Sequence, residues 1–251
     1  MEIENIEFSY GKHKVLDNIS FSVNKGEITT IIGANGCGKS TLFNVMTKNL
    51  TPQKGRVMLN GKDISSIPLK SFAKQVAIVH QYNTAPADVT VEKLVSYGRI
   101  AHSGFKRNHI EDEKYIKFAM DITGVSEFAN KEIACLSGGQ RQRVWIAVAL
   151  AQNTDILFLD EPTTYLDVRY QIEILRLVKK LNTEYGMTII MVLHDINQAI
   201  FYSDNIIAMK NGKIIGNGKP NDIINNELLY ETYGINLNVE NIGDKKFVIT
   251  V

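Results

Sequence analysis

The residues best suited to chemistry lie in the stretch GANGCGKST, which begins at Gly33 and follows an apolar segment ending at Ile32. The stretch matches G-x-x-x-x-G-K-[ST], with Gly38, Lys39 and Ser40 at the later fixed positions. Glycines let such a loop curl so that backbone N–H groups point at phosphate oxygens, and a following helix adds its positive end. Lys39 would bring charge to the β- and γ-phosphates, and Ser40 would offer an oxygen to Mg²⁺. The stretch therefore predicts a phosphate-binding loop.

A second candidate set is an acidic pair, Asp160 and Glu161, at the end of the apolar segment ILFLDEP. Open α/β sheets bind ligands at the carboxyl ends of their strands. We expect Asp160 to hold Mg²⁺ or its waters, and Glu161 to orient and polarise an attacking water. The alternative is an ordinary strand that ends in a charged turn, which the phosphate loop in the same chain disfavours.

A third candidate is the stretch LSGGQ, where Ser137, Gly138 and Gly139 precede a strongly apolar segment. Free N–H groups, a hydroxyl and a helix dipole would make the start of this helix a second anion site. The alternative is a plain N-cap, since serine is common before helices for that reason alone.

Short apolar segments recur along the chain, as expected for strands that are covered on both faces of a parallel sheet. They are residues 27–33, 75–80, 155–160, 188–194 and 205–210. Helical patterns lie between them; at 170–184, Ile172, Leu175, Val178 and Leu181 predict an apolar stripe that Ile174 and Leu177 widen. Strands that alternate with helices indicate an α/β fold.

Two further textures interrupt this alternation. Residues 1–8 and 15–23 alternate, and segments 56–64 and 208–218 each contain Asn-Gly, a strong hairpin signal. They predict an antiparallel sheet layer beside the α/β core. Residues from about 84 to 135 are mostly helical in pattern and more polar, which predicts an inserted helical lobe.

Composition narrows the class of protein. The chain has 251 residues, 44% of them hydrophobic, with 28 Lys plus Arg against 27 Asp plus Glu, a net charge of +1. This balance gives no basic field for nucleic acid. The two cysteines, Cys37 and Cys135, disfavour a disulfide scaffold or a zinc site. No signal peptide or span of about 20 apolar residues is present, so we expect a cytosolic chain, or one held at a membrane by a partner.

LSGGQ, which lies between the phosphate loop and the acidic pair, resembles the signature motif of ABC-type ATPases. The resemblance to this family covers nearly the whole chain, through about residue 233. The resemblance implies an α/β P-loop NTPase fold with a mainly parallel core sheet, an antiparallel β subdomain and an inserted helical subdomain. It implies an ABC ATPase domain at 1–233, with the helical lobe at about 84–150, and a short C-terminal extension at 234–251. Two chains would sandwich two ATP molecules head to tail.

The resemblance also assigns roles residue by residue. Catalytic roles fall to Lys39, Gln81, Glu161 and His194, and Mg²⁺ ligation to Ser40, Gln81 and Asp160. The implied ATP-binding positions are Tyr10, Gly33, Asn35, Gly36, Gly38, Lys39, Ser40, Thr41, Ser137, Gly138, Gly139, Gln140 and Asp167. Tyr10 would stack on adenine, with a half-buried strand tyrosine as the alternative, and the other four histidines have the structural reading of surface or satisfied side chains.

One ATPase unit without a membrane span resembles the separate subunit of a prokaryotic importer. EPTTYLDV, RQRVWIAVALAQ and YGRIAH resemble the ATPases that serve iron–siderophore permeases, whose relatives handle haem, cobalamin or other metals. The implied partners are permease subunits, which would dock near residues 82–105, a second copy of the chain, and indirectly an extracytoplasmic substrate-binding protein. The implied location is the cytoplasmic face of the membrane, as a peripheral subunit.

Two rival functions remain from other classes. The first is a soluble ABC ATPase that acts on ribosomes or DNA; a single ATPase unit, no sustained heptads and a near-neutral charge disfavour it. The second is an ABC-like domain that binds nucleotide only as a regulator, which the presence of Lys39, Glu161 and His194 disfavours.

Overall fold

A computed structural model describes residues 1–102 and 109–249 of the chain. The strands are β1 (Glu2–Tyr10), β2 (His13–Ser22), β3 (Ile28–Gly33), β4 (Lys54–Leu59), β5 (Lys62–Asp63), β6 (Val76–Val79), β7 (Ile156–Asp160), β8 (Thr188–Val192), β9 (Asn205–Lys210), β10 (Lys213–Gly218), β11 (Asn238–Ile242) and β12 (Lys245–Ile249). The α-helices are α1 (Lys39–Met46), α2 (Leu69–Phe72), α3 (Val91–Ser96), α4 (His109–Thr123), α5 (Gly138–Ala151), α6 (Val168–Tyr185), α7 (Ile196–Tyr202), α8 (Pro220–Ile223) and α9 (Asn226–Tyr233).

The chain forms two compact units. The first unit combines residues 1–67 with residues 187–251, and the second unit comprises residues 68–186. The second unit is longer than the predicted helical lobe because it also contains β6, β7 and α6.

The first unit contains an antiparallel sheet in the order β2-β1-β4-β5. Its strands alternate between buried and exposed side chains; in β1, for example, Ile3, Ile6 and Phe8 are buried. Such alternation is expected for a sheet with one face on a core. The predicted antiparallel layer is therefore confirmed for the segments near residues 1–8, 15–23 and 56–64.

The first unit also contains the strands that lead to the phosphate loop. Strand β3 lies between β8 and β9 and is parallel to both. All six residues of β3 and all five of β8 are buried, as expected for a parallel sheet covered on both faces. The prediction for residues 208–218 was wrong in one respect, because β10 pairs antiparallel with β9 and so extends this sheet instead of the separate antiparallel one.

Both predicted Asn-Gly hairpins are present. Asn60 and Gly61 join β4 to β5 with φ values of 51° and 74°, and Asn211 and Gly212 join β9 to β10 with 46° and 75°. Positive φ at both central residues is the requirement of the tight turn that matches strand twist, and asparagine and glycine tolerate it best.

The C-terminal extension folds as a hairpin of β11 and β12 in the first unit. The side chain of Asn197, in α7, holds this hairpin through two bonds to the backbone of Val248, at 2.9 Å and 2.8 Å. Lys246 donates to the carbonyl oxygen of Ile224 at 2.6 Å. The two Asn197 bonds fix the extension to α7, the helix that begins two residues after His194, and the Lys246 bond fixes it to the residue after α8.

The second unit contains the parallel pair β6 and β7 and most of the helices. Between residues 84 and 135 the described residues form α3, α4 and short 3₁₀ segments, which confirms the predicted helical texture. In α6 the buried residues include Ile174, Leu175, Val178 and Leu181, but Ile172 is 37% exposed. The predicted stripe was wrong at Ile172 because the buried face follows i, i+4 and i+7 from Ile174.

Candidate functional site

The phosphate loop lies in the first unit, between β3 and α1, where the sequence predicts it. Gly33, Gly36 and Gly38 have φ values of 152°, 77° and 107°, which side chains with a Cβ rarely adopt. A Cβ on Gly33 would lie 2.5 Å from the carbonyl oxygen of Met209 and 2.7 Å from the Cys37 sulfur. The path of this loop therefore depends on glycine for both its dihedral angles and its packing.

Lys39 is the first residue of α1 and only 5% exposed. Its ammonium group donates to the carbonyl oxygens of Gly33 at 2.8 Å and Ala34 at 3.1 Å. These acceptors carry only partial charge, so phosphate oxygens would be stronger partners for the same ammonium group. The lysine is thus held at the loop by the loop's own backbone.

The remaining loop residues differ in exposure. Asn35, Gly36 and Ser40 are exposed, whereas Thr41 is buried in α1. Cys37 is also buried, and burial raises the pKa of its thiol. Asn35, Gly36 and Ser40 are therefore accessible from solvent, and Cys37 contributes to the packing of the loop.

Two other predicted residues lie in the first unit. Tyr10 ends β1, is 54% exposed, and meets Phe8 edge-on with ring centroids 4.9 Å apart. His194 follows β8 and is exposed, and the side chain of Asp195 caps α7 by accepting from the N–H of Gln198 at 2.8 Å. Both aromatic rings are accessible to a ligand.

Glu161 lies in the second unit, directly after β7, and has φ of 50°. Its Oε2 accepts a hydrogen bond from the Gln81 amide at 2.5 Å and another from the Thr164 hydroxyl at 3.1 Å. The structure therefore brings together two residues, Gln81 and Glu161, that are 80 positions apart. Asp160, which ends β7, is half-buried.

The stretch LSGGQ also lies in the second unit, at the start of α5. The N–H of Gln140 donates to the Ser137 hydroxyl at 3.3 Å, and the N–H of Ser137 donates to the Gln140 side chain at 2.9 Å. This is a capping box, so Ser137 caps α5, and its role in an anion site stays a prediction. Ser137 and Gly138 remain exposed. Gly139 is buried against the Tyr170 ring, which would lie 2.3 Å from a Cβ at this position.

Asp167 is exposed and caps α6, where its carboxylate accepts from the N–H of Tyr170 at 3.0 Å. Gln171 donates to the backbone oxygens of Thr163 and Leu166 at 3.3 Å and 3.0 Å. The segment between Glu161 and Asp167 is therefore a turn whose backbone is bonded to the Gln171 side chain of α6.

Sequence reasoning missed three residues around this turn. Thr164 contacts Glu161 as described, and its place three residues after the acid, within one turn, was a usable signal. Tyr82 and Tyr165 contact each other through their hydroxyls at 3.0 Å, and that bond raises the pKa of Tyr82. No local pattern could have paired them, because they are 83 positions apart. Beside Gln81, burial lowers the pKa of His80.

The residues predicted to hold Mg²⁺ fit this ion in their chemistry. Ser40 offers a hydroxyl, Gln81 an amide oxygen and Asp160 a carboxylate, and Mg²⁺ is a hard cation that prefers oxygen ligands. The Gln81 amide donates through its nitrogen, which leaves its oxygen as the possible ligand atom.

The predicted docking stretch at residues 82–105 lines part of a pocket in the second unit. Residues 103–105 of this stretch lie outside the described part of the chain. A pocket of about 510 Å³ is lined by Tyr97, Gly98, Ile100 and Ala101 together with residues of α2. Among residues 1–102 and 109–249, no helix has the length and apolar character to cross a membrane.

The sequence is similar to known proteins over most of its length. The family profile described as "ABC transporter" matches residues 16–164. The iron(3+)-hydroxamate import ATP-binding protein FhuC of Bacillus subtilis is 46% identical, over 95% of this chain and 89% of that protein. The ferric enterobactin transport ATP-binding protein FepC of Escherichia coli is 44% identical, over 92% and 86%.

The fold is similar to solved structures of the same kind. A bacterial ABC transporter cassette, MJ0796, solved as a dimer, superposes with a TM-score of 0.76 at 30% identity. The superposition covers 87% of this chain and 97% of that one.

Proposed function

We propose a function from one premise: this chain belongs to the ABC transporter family, and it is an ATPase whose hydrolysis is coupled to transport. The proposal is that it powers a membrane permease that imports iron–siderophore complexes. The observation that carries the proposal is the 46% identity, over 95% of the chain, to a protein named for iron(3+)-hydroxamate import. The FepC relative, named for ferric enterobactin transport, supports ferric chelates as the class and leaves the particular chelate open.

In the first unit, the phosphate loop would bind ATP. Lys39 would exchange the carbonyl oxygens of Gly33 and Ala34 for the β- and γ-phosphates, to which it binds more strongly because they are charged. Gly33, Asn35, Gly36, Gly38 and Thr41 would supply backbone N–H groups and loop shape, and Tyr10 would stack on adenine.

The hydrolytic roles fall to named side chains of both units. Glu161 would accept a proton from the attacking water and orient it, and Gln81 and His194 would position the water and the γ-phosphate. Ser40, Asp160 and Gln81 would hold Mg²⁺, which when bound offsets negative charge on the phosphates. General-base catalysis of this kind contributes about 10²–10⁴ in rate.

The exposed start of α5 supports a role for a second copy of the chain. Ser137, Gly138, Gly139 and Gln140 would bind the γ-phosphate of ATP that is held by the partner, and Asp167 would contact that partner. A head-to-tail dimer would then contain two ATP molecules, as the dimeric state of the similar cassette supports.

The remaining parts of the proposal concern location and partners. The subunit would lie at the cytoplasmic face of the membrane, attached to permease subunits near residues 82–105, and an extracytoplasmic substrate-binding protein would deliver the chelate. We propose 1–233 as the ATPase domain, with its helical lobe at about 84–150, and 234–251 as a C-terminal extension.

A second candidate within the same class is the ATPase subunit of a haem, cobalamin or other metal importer. The same site would serve it, because the transported molecule binds the permease and not the ATPase. A soluble ABC ATPase without a transport role is a third candidate. The net charge of +1 disfavours it, because a partner such as nucleic acid would require a basic surface.

The test is uptake of radioactive iron, presented as separate siderophore chelates, by iron-starved cells of the source organism. Cells with the natural protein are compared with cells that carry Glu161→Gln at matched expression. We expect uptake of at least one chelate to fall to background, while uptake of an unrelated solute is unchanged.

Tyr185→Phe, a change at the exposed end of α6, is the matched control and should leave uptake intact. Normal uptake of every chelate in the Glu161→Gln cells would contradict the iron–siderophore assignment. Uptake of haem and cobalamin is measured in the same cells. Loss of one of these alone would favour the second candidate function.

A further inference from the structure

Two exposed tyrosines of the second unit are in contact beside Glu161. The hydroxyls of Tyr82 and Tyr165 are 3.0 Å apart, and the ring centroids are 6.3 Å apart at an interplanar angle of 40°. The two residues are 70% and 81% exposed. Because so little apolar area is removed from water, ring packing contributes little, and the hydroxyl–hydroxyl bond is the specific part of this contact.

The backbone of the turn places Tyr165 at this position. Tyr165 has φ of 62° and Glu161 has φ of 50°, so two residues with side chains adopt left-handed conformations within five positions. Such conformations are unfavourable for residues other than glycine and occur most often at functional sites. Gln171, from α6, holds the base of the turn through the backbone oxygens of Thr163 and Leu166.

The tyrosine contact joins the same two segments as the contact between Gln81 and Glu161, the proposed catalytic acid. Tyr82 is the residue after Gln81, whose amide donates to Glu161 Oε2 at 2.5 Å. Residues 81–82 are therefore joined to residues 161–165 by two bonds, one between an amide and a carboxylate and one between two hydroxyls. Loss of the second bond would leave these two segments joined by the Gln81–Glu161 bond alone.

The hydrogen bonds at Glu161 bear on its proposed role as the base. Oε2 of Glu161 accepts hydrogen bonds from both Gln81 and Thr164, so both lone pairs of this oxygen are engaged by donors of the chain itself. The Gln81 amide nitrogen is one of these two donors. The Gln81–Glu161 pair would have to open before this oxygen could take the proton of an attacking water.

We propose that Tyr82 and Tyr165 form a latch that stabilises the Gln81–Glu161 pair and so restrains ATP hydrolysis until the turn at residues 161–165 moves. Both tyrosines are positioning residues, since they act through Gln81 and Glu161. This inference rests on the catalytic role proposed for Glu161.

The first test is the basal ATPase rate of the full chain, measured for Tyr82→Phe, Tyr165→Phe and the double variant. Each change removes one hydroxyl and keeps the ring. A hydrogen bond between neutral, exposed groups has a small net effect, so we expect each single variant to raise kcat about two- to fivefold with KM for ATP unchanged. The double variant should match the single variants, because all three lack the same bond.

Tyr185→Phe is the matched control, since it removes the hydroxyl of another exposed tyrosine in the same unit and should leave kcat unchanged. Wild-type kcat in both single variants, a lower kcat, or effects that multiply in the double variant would overturn the latch. Glu161→Gln, tested alone, separates the two proposals. If it abolishes hydrolysis while the tyrosine variants keep the wild-type rate, the latch fails and the role of Glu161 stands; if it retains hydrolysis, the role of Glu161 fails.

A second test measures the contact itself. Photo-oxidation with a ruthenium complex and persulfate couples neighbouring phenols into dityrosine, and mass spectrometry of monomeric chains identifies the joined peptides. We expect a Tyr82–Tyr165 cross-link without nucleotide, and a lower yield when ATP saturates the Glu161→Gln protein. An equal yield with and without ATP, or no cross-link without nucleotide, would overturn the proposal.

Discussion

The phosphate loop and the turn at Glu161–Asp167 obtain their geometry in opposite ways. The loop depends on backbone: Gly33 and Gly38 adopt positive φ, and the charge of Lys39 is held by main-chain oxygens. The turn depends on side chains: Gln81 and Thr164 hold Glu161, and Tyr82 holds Tyr165. The shape of a site built from backbone groups is set by the dihedral angles of the chain, whereas a site built from side-chain contacts can be rearranged by changes of rotamer. We propose that the loop binds the nucleotide and that the turn controls its hydrolysis.

The largest expected effect separates binding from chemistry at the turn. Glu161→Gln keeps the shape of the side chain but removes the proposed base, so we expect kcat to fall by about 10²–10⁴ while the affinity for ATP is retained. Phosphate release from the purified chain measures kcat, and equilibrium binding measures affinity. An equal loss in both quantities would show that the turn also carries binding, which would break the comparison.

The next effect tests the dependence of the loop on glycine. Gly33→Ala would place a Cβ 2.5 Å from the carbonyl oxygen of Met209, in a strained conformation, so we expect a loss of about 2 kcal/mol or more in the free energy of unfolding. Gly234→Ala is the matched control: its φ is 75° but no atom lies within 4 Å of the added Cβ, so only the conformational cost of about 1 kcal/mol applies. Urea unfolding checks both, and equal losses would show that packing under the loop is not limiting.

A smaller effect of opposite sign is expected at the turn. Tyr165 is 81% exposed and has φ of 62°, so Tyr165→Asn relieves an unfavourable conformation and loses little burial. Asparagine tolerates this region better, and we expect unfolding to become more difficult by about 0.5–1 kcal/mol. A decrease in stability would mean that the tyrosine contributes to folding and not only to the position of the turn.

The smallest effect concerns the thiol under the loop. Cys37 is buried and its pKa is raised by burial, so its reactive thiolate appears only at higher pH than usual, whereas Cys135 is exposed. Iodoacetamide at pH 8 should therefore label Cys135 well before Cys37, and labelling of Cys37 should increase as pH rises further. Peptide mass spectrometry gives both rates; faster labelling of Cys37 would show that the loop opens in solution.

The same contrast explains what the sequence could predict. The phosphate loop, the buried strands and the Asn-Gly turns follow from neighbouring residues, and the structure confirms their positions at Gly33–Thr41, β3 and residues 60–61. The contacts Gln81–Glu161 and Tyr82–Tyr165 join residues 80 and 83 positions apart, so no local pattern contains them. The anchoring of β12 by Asn197 is hidden for the same reason. Resemblance to a family supplied the roles proposed for Gln81 and His194, which spacing alone could not, and these roles stay predictions.

The most direct test of the division between the two regions is the affinity of ATP for Lys39→Ala and Glu161→Gln, measured side by side by equilibrium titration. Loss of a charge-assisted hydrogen bond weakens binding by about 1.5–3 kcal/mol, so we expect Lys39→Ala to bind ATP about 10- to 150-fold more weakly. Glu161→Gln should bind as tightly as the natural protein. Tight binding by Lys39→Ala, or weak binding by Glu161→Gln, would contradict the account.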